Sequence, residues 1–301
     1  MSHSLNIHPH RKYTFIKLVV VLTNCWMIFV NITPAAMIIA GGRDDDVHKR
    51  SGQSFIGANY DWSGVCINSD NRATMISPSY FLTADHYRPD LDATMMFENS
   101  SGTTFEYNVD SYSSVFTTTF IYDGTEYTKD SDLRMGKLTS QVDSSIAKYS
   151  LATDGSLFYK EPLFLYGASN YVGTNELDSL KFTYTGGTNL GNASEVGASM
   201  ILGYDEEASE NEAYLQYGDS SSPSFAVRQG ELILTGIHWA ITSETDNPDS
   251  DDASIDTYTP FYNDQIETAM EEESPTFWVP EPSVLTILIL ALCISLLRRP
   301  K

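Results

Sequence analysis

Between residues 37 and 272 the apolar positions fall in short runs of aromatic and β-branched residues, broken every few positions by Gly, Asn, Asp or Ser. The runs at 73–76, 80–83, 104–109, 114–122, 157–166, 180–184 and 232–239 have the length and side chains that suit a pleated, half-buried strand. Helical spacing of apolar residues occurs only near the two ends of the chain and over 258–270. Many short strands with turn signals and no alternating helices predict an all-β barrel or sandwich. Two polar stretches, 205–212 and 244–256, read as surface loops, the first leading into the turn around Ser220.

The ends follow a different pattern. His10, Arg11, Lys12 and Lys17 make a basic start, 18–30 is apolar, and Ala35, Ala36 and Ala40 offer small residues for cleavage. This order predicts an export signal over 1–36, the other reading being an uncleaved anchor. At the far end Val279-Pro280-Glu281-Pro282 precedes an uncharged run, 283–297, and then Arg298-Arg299-Pro300-Lys301. An apolar run with a basic stop predicts a membrane tether with the bases in the cytoplasm. The segment 279–301 resembles the PEP-CTERM sorting signal of Gram-negative bacteria. That resemblance implies handling by an exosortase and delivery to the cell envelope, cell surface or extracellular matrix.

Composition sharpens what lies between. The chain has 301 residues, 42% hydrophobic and 12% aromatic, enough for a large core. Its formal charge is −22, and the bases of the two ends face a single acid, Glu281, so the middle is more acidic still. Such a surface repels phosphate backbones, which excludes nucleic acid as a partner. Of three cysteines, Cys25 and Cys293 lie in the apolar ends, leaving Cys66 with no internal disulfide partner. It reads as a small buried hydrophobe rather than a nucleophile.

Only His48, His86 and His238 occur in this middle part. His86 follows Ile76-Ser77-Pro78-Ser79-Tyr80-Phe81-Leu82-Thr83-Ala84-Asp85, where a strand ends, a rigid place for a general base. Downstream come Asp130-Ser131-Asp132-Leu133 and then Gly218-Asp219-Ser220-Ser221-Ser222-Pro223, followed by the apolar run 231–237. Taken in order, these three stretches resemble the histidine, aspartate and serine signatures of chymotrypsin-like (trypsin-fold) serine proteases. The order His, Asp, Ser differs from that of subtilisins and α/β-hydrolases.

The resemblance implies two packed six-stranded antiparallel β-barrels, about 37–150 and 151–272, together forming a protease domain over 37–272. It implies a catalytic set of His86, Asp132 and Ser220, with Asp130 the alternative if the register slips by two. Gly218 and Ser220 would supply the oxyanion-binding N–H groups. Asp219 would pair with an N-terminal amine freed near Ile38-Ile39-Ala40-Gly41-Gly42. Tyr214, His238 and Trp239 would lie along the substrate cleft, with His238 in a structural role and Asp85 facing solvent. The expected partner is a protein or peptide, with no metal and no cofactor. The sequence departs from the pattern at Tyr87, where many members carry a cysteine, at Ser221-Ser222, where glycines are usual, and at Tyr214. An inactive binding scaffold on the same barrels is the competing expectation.

Overall fold

The computed structural model describes residues 37–273 except 69–71, 154, 158 and 243–251. The expected export signal and the PEP-CTERM-like segment lie outside the described residues, as does most of the 244–256 loop. Among the described residues no helix is long and apolar enough to cross a membrane.

The chain is all-β, as its pattern predicts. In the first half come β1 (Ile38–Ile39), β2 (Thr74–Met75), β3 (Tyr80–Ala84), β4 (Thr94–Glu98), β5 (Thr104–Tyr112), β6 (Thr117–Tyr122), β7 (Thr125–Asp130) and β8 (Leu133–Leu138). The second half holds β9 (Pro162–Tyr166), β10 (Val172–Glu176), β11 (Ser179–Thr185), β12 (Glu195–Gly203), β13 (Ala213–Tyr214), β14 (Pro223–Arg228), β15 (Glu231–Thr242) and β16 (Ala253–Tyr258). A short helix α1 (Asp45–His48) precedes β2, and α2 (Asn263–Glu273), where apolar residues were spaced for a helix, is the last described element.

One sheet has the order β2-β3-β8-β5-β4. A nine-stranded sheet runs β10-β9-β14-β15-β16-β12-β7-β6 with β11 on β12, and β1 pairs with β13. The β6–β7 hairpin thus comes from the first half but joins the second sheet, through the parallel pair Glu195 and Asp130.

The β3–β8 pair fixes the site's first half. All five residues of β3 are buried, and Ala84 lies opposite Leu133, so the residues after β3 and before β8 meet at one sheet end. Gly136 lies opposite Phe81 in this pair, and a Cβ on it would lie 2.2 Å from the Phe81 ring, which excludes any larger residue there.

The core is in layers. Met75, Phe81, Met95, Phe97, Val109 and Leu138 fill the first sheet, and Leu163, Leu165, Met200, Leu202 and Leu215 fill the second. Between them, Leu82, Leu133 and Met135 of the first sheet meet Tyr166, Phe225, Leu234 and Ile237 of the second. Trp62 is the centre of that seam, with the rings of Phe164, Tyr166 and Phe225 at 5.7 to 5.9 Å.

Two sequence boundaries shift for physical reasons. The run 157–166 becomes a strand only from Pro162, because Lys160 takes a positive φ of 62° in a turn before it. Residues 253–256, read as part of a polar loop, belong to β16, all six residues of which are buried. Their polar side chains have internal partners: the Leu215 N–H donates to Ser254, and Asp256 pairs with His238.

Candidate active site

The site forms where the end of β3, the start of β8 and the loop before β14 converge. A single 3-10 turn, Asp85–Tyr87, carries His86 out of the rigid end of β3. The residue before β8 is Asp132, whose carbonyl accepts from the Asp85 N–H at 2.9 Å. Its carboxylate is fully buried and grips His86 twice: Oδ1 accepts from the backbone N–H at 2.9 Å, and Oδ2 from Nδ1 at 2.7 Å. With the Nδ1 proton held by Asp132, Nε2 is left as an acceptor, and the Ser220 hydroxyl lies 2.9 Å from it. His86 keeps 40% of its side chain exposed, so this line opens to solvent at the serine end. The structure thus brings together three of the residues singled out in the sequence, and Asp132 rather than Asp130 faces His86. Asp130 instead ends β7.

Burial pulls the His86 imidazole down, but the hydrogen bond and charge of Asp132, aided by Glu195 and Asp85, outweigh it, and His86 titrates above its ordinary value of 6.5. Asp132 is pushed up by burial, and its hydrogen bonds from His86 pull in the opposite direction, favouring the charged form. Asp85 does not simply face solvent. It is half-buried between Arg134 Nε at 2.8 Å and Arg88 Nη1 at 2.5 Å, so its charge is held by two guanidinium groups beside the imidazole.

The turn around Ser220 has its own geometry. Gly218 has φ 96°, open to glycine and strained for most other residues. Among the described residues nothing accepts from the N–H groups of Gly218 and Ser220, whereas the Asp219 N–H donates to Gln216 O and the Ser222 N–H to Asp219 O. Those two N–H groups are therefore unspent donors next to the Ser220 hydroxyl.

Ser221 also has a positive φ, 67°, which costs a non-glycine residue about 1–2 kcal/mol. Its hydroxyl offsets that cost, because it is fully buried and bridges both ends of the His86 turn. Oγ accepts from the Ala84 N–H at 3.0 Å and donates to the Tyr87 carbonyl at 3.2 Å. Each such bond contributes about 0.5–1.5 kcal/mol. Ser222 is buried too, its hydroxyl accepting from Arg72 Nη1 at 3.0 Å. Serine in place of glycine therefore ties the loop to the His86 segment instead of disturbing it.

Other expectations need correction. The expected pairing of Asp219 with an amine freed near Ile38 belongs to a cut chain; in the uncut chain Asp219 is paired internally. Its Oδ1 accepts from the Ala168 N–H at 2.5 Å and its Oδ2 from the Gln216 N–H at 2.7 Å, and Arg72 Nη1 stands 3.7 Å from Oδ1. Ile38 is held in β1 opposite Tyr214. Tyr214, His238 and Trp239 are at most 5% exposed, so they offer almost no surface to a substrate. Tyr214 donates to the Thr242 carbonyl at 2.6 Å and stacks on Tyr204, and Trp239 packs against Gly197. His238 has the structural setting expected of it, with Nδ1 3.0 Å from Asp256 Oδ1. His48 is likewise buried, with Nε2 2.9 Å from Asn211 Oδ1. Burial raises the Cys66 thiol to about 11, far from a reactive thiolate. Among the described residues no group of three or more His, Cys, Asp or Glu is arranged to hold a metal ion.

No family model and no curated protein matches the chain. Among solved structures it is similar to the NS6 protease of murine norovirus 1, at 16% identity and a TM-score of 0.40, over 65% of this chain and 90% of that one. An inactive mutant of murine norovirus NS6 protease, with a C-terminal extension to include a residue of NS7, gives 16% identity, a TM-score of 0.41 and the same coverage.

Proposed function

We propose that the chain is a serine endopeptidase that cleaves protein or peptide substrates through an acyl-enzyme. The observation that carries this reading is the unbroken line from the buried Asp132 carboxylate through His86 to the Ser220 hydroxyl, with contacts of 2.7 and 2.9 Å. A serine hydroxyl is too weak an acid to attack an amide unaided, and Nε2 is placed to take its proton as it attacks. The same nitrogen then returns the proton to the departing amine, while Asp132 holds the tautomer and balances the imidazolium charge. The unspent N–H groups of Gly218 and Ser220 suit the oxyanion of the tetrahedral intermediate. Water then attacks the acyl-enzyme by the same route.

The test is the pH profile of peptide hydrolysis. Neutral His86 is the active form and its pKa is raised, so activity is lost as pH falls through a value above about 6.5. Asp132→Asn removes the charge that raises it and is expected to move this acid limb to lower pH while lowering the rate. Proteolysis that is fastest in acid, or an acid limb that Asp132→Asn leaves in place, would contradict the assignment of the base.

The terminal segments support a second part of the proposal, export followed by exosortase-type sorting to the bacterial envelope, surface or matrix. Deleting 279–301 is expected to release the protein from the envelope fraction into the medium. Unchanged fractionation on immunoblots would argue against a sorting role for this segment.

A further inference from the structure

Asp219 is fully buried, and a carboxylate in that position needs a cation or several strong donors to stay charged. The cation beside it is Arg72, itself only 4% exposed. Arg72 immediately precedes the short run into β2, so it comes from the first sheet's side of the molecule, and it reaches across to the Ser220 loop. There Nη1 stands 3.7 Å from Asp219 Oδ1 and donates to the Ser222 hydroxyl at 3.0 Å. The Arg72 carbonyl accepts from the Thr83 hydroxyl at 3.0 Å, and Thr83 belongs to the strand that ends at His86. One residue therefore contacts the strand that leads to His86 and both neighbours that fix the backbone on either side of Ser220 and Ser221. Ile38, by contrast, is 44% exposed in β1.

We propose that Arg72 is the positioning residue that holds the Ser220 loop in its working shape, so that no freed N-terminal amine is needed to form it. Its consequence for catalysis rests on Ser220 being the nucleophile, but the claim about the loop does not. Ser222 then has a reason to be serine, since a glycine there offers Arg72 no acceptor. Without Arg72 the buried Asp219 carboxylate keeps the Ala168 and Gln216 N–H donors but loses the cation beside it, and the loop relieves this by opening to water.

Amide hydrogen exchange of the full chain separates the two claims. The N–H groups of Asp219, Ser221 and Ser222 are bonded to Gln216, His238 and Asp219 and report directly on the loop. Their protection is expected to be the same in the full chain and in a form cut before Ile38. Arg72→Met is expected to speed their exchange by about tenfold or more, the loss of one charged hydrogen bond, while the amides of β8 are unchanged. Arg72→Lys should recover part of the protection. Because Arg72→Lys keeps the charge and Arg72→Met does not, the recovery with lysine distinguishes charge pairing from bulk packing. Protection that appears only after cutting before Ile38, or that survives Arg72→Met intact, overturns the proposal, as does an Arg72→Lys variant that exchanges as fast as Arg72→Met. Should the protection behave as expected while Ser220 fails to react with a serine-directed probe, the peptidase reading falls and the role of Arg72 stands.

Discussion

Replacing His86 by alanine is expected to lower kcat/KM for peptide hydrolysis by about 10²–10⁴-fold, the usual contribution of a positioned general base. The loss is expected in kcat, because Nε2 meets the Ser220 hydroxyl and not a distant part of the substrate. Stability should change little. His86 is 40% exposed, and it packs only loosely against Tyr87, with ring centroids 6.4 Å apart. What the variant leaves behind is a buried Asp132 that keeps no imidazole partner, and water can enter the vacated space from the open side. A urea titration beside the kinetics separates the two effects. A His86→Ala protein that folds as wild type and still cleaves at the wild-type rate would remove His86 from the chemistry.

How much of this was legible in the sequence depends on range. His86, Asp132 and Ser220 each stand in a short run whose neighbours mark them: a strand end, a strand start and a glycine turn. Those runs nominated them through the family resemblance they carry, and the structure brings their side chains into contact. The alternating β5, exposed and partly buried in turn along most of its length, was equally readable. By contrast β16 was hidden because its polar residues are buried in pairs, Asp256 with His238 and Ser254 with Leu215, and a single-chain pattern reads such residues as loop.

The residues that hold the site together were not legible at all. Arg72 meets Ser222 across 150 positions, and Ser221 meets Ala84 across 137. Nothing in the spacing of a lone arginine or of two serines announces such contacts. In the sequence Ser221 and Ser222 look like departures that weaken the site, and only their burial and their partners show that they brace it. Tyr214, His238 and Trp239 went the other way, expected along a cleft and found buried, because position in the chain does not say which face of a strand a side chain takes.

Labelling with a fluorophosphonate tests most directly, and with the largest expected effect, whether Ser220 is a nucleophile activated by His86. Such a probe is attacked by an activated serine and leaves a covalent phosphonyl group on its oxygen, so it reads the nucleophile itself without knowledge of the natural substrate. The chain is rich in serines, but among the described residues no serine hydroxyl other than that of Ser220 meets a histidine, so one site alone should react. The account predicts stoichiometric labelling of the wild-type chain near neutral pH, mapped by peptide mass to Ser220 and abolished by Ser220→Ala. Folded wild-type protein that takes up no label, or label that persists in Ser220→Ala, would contradict it.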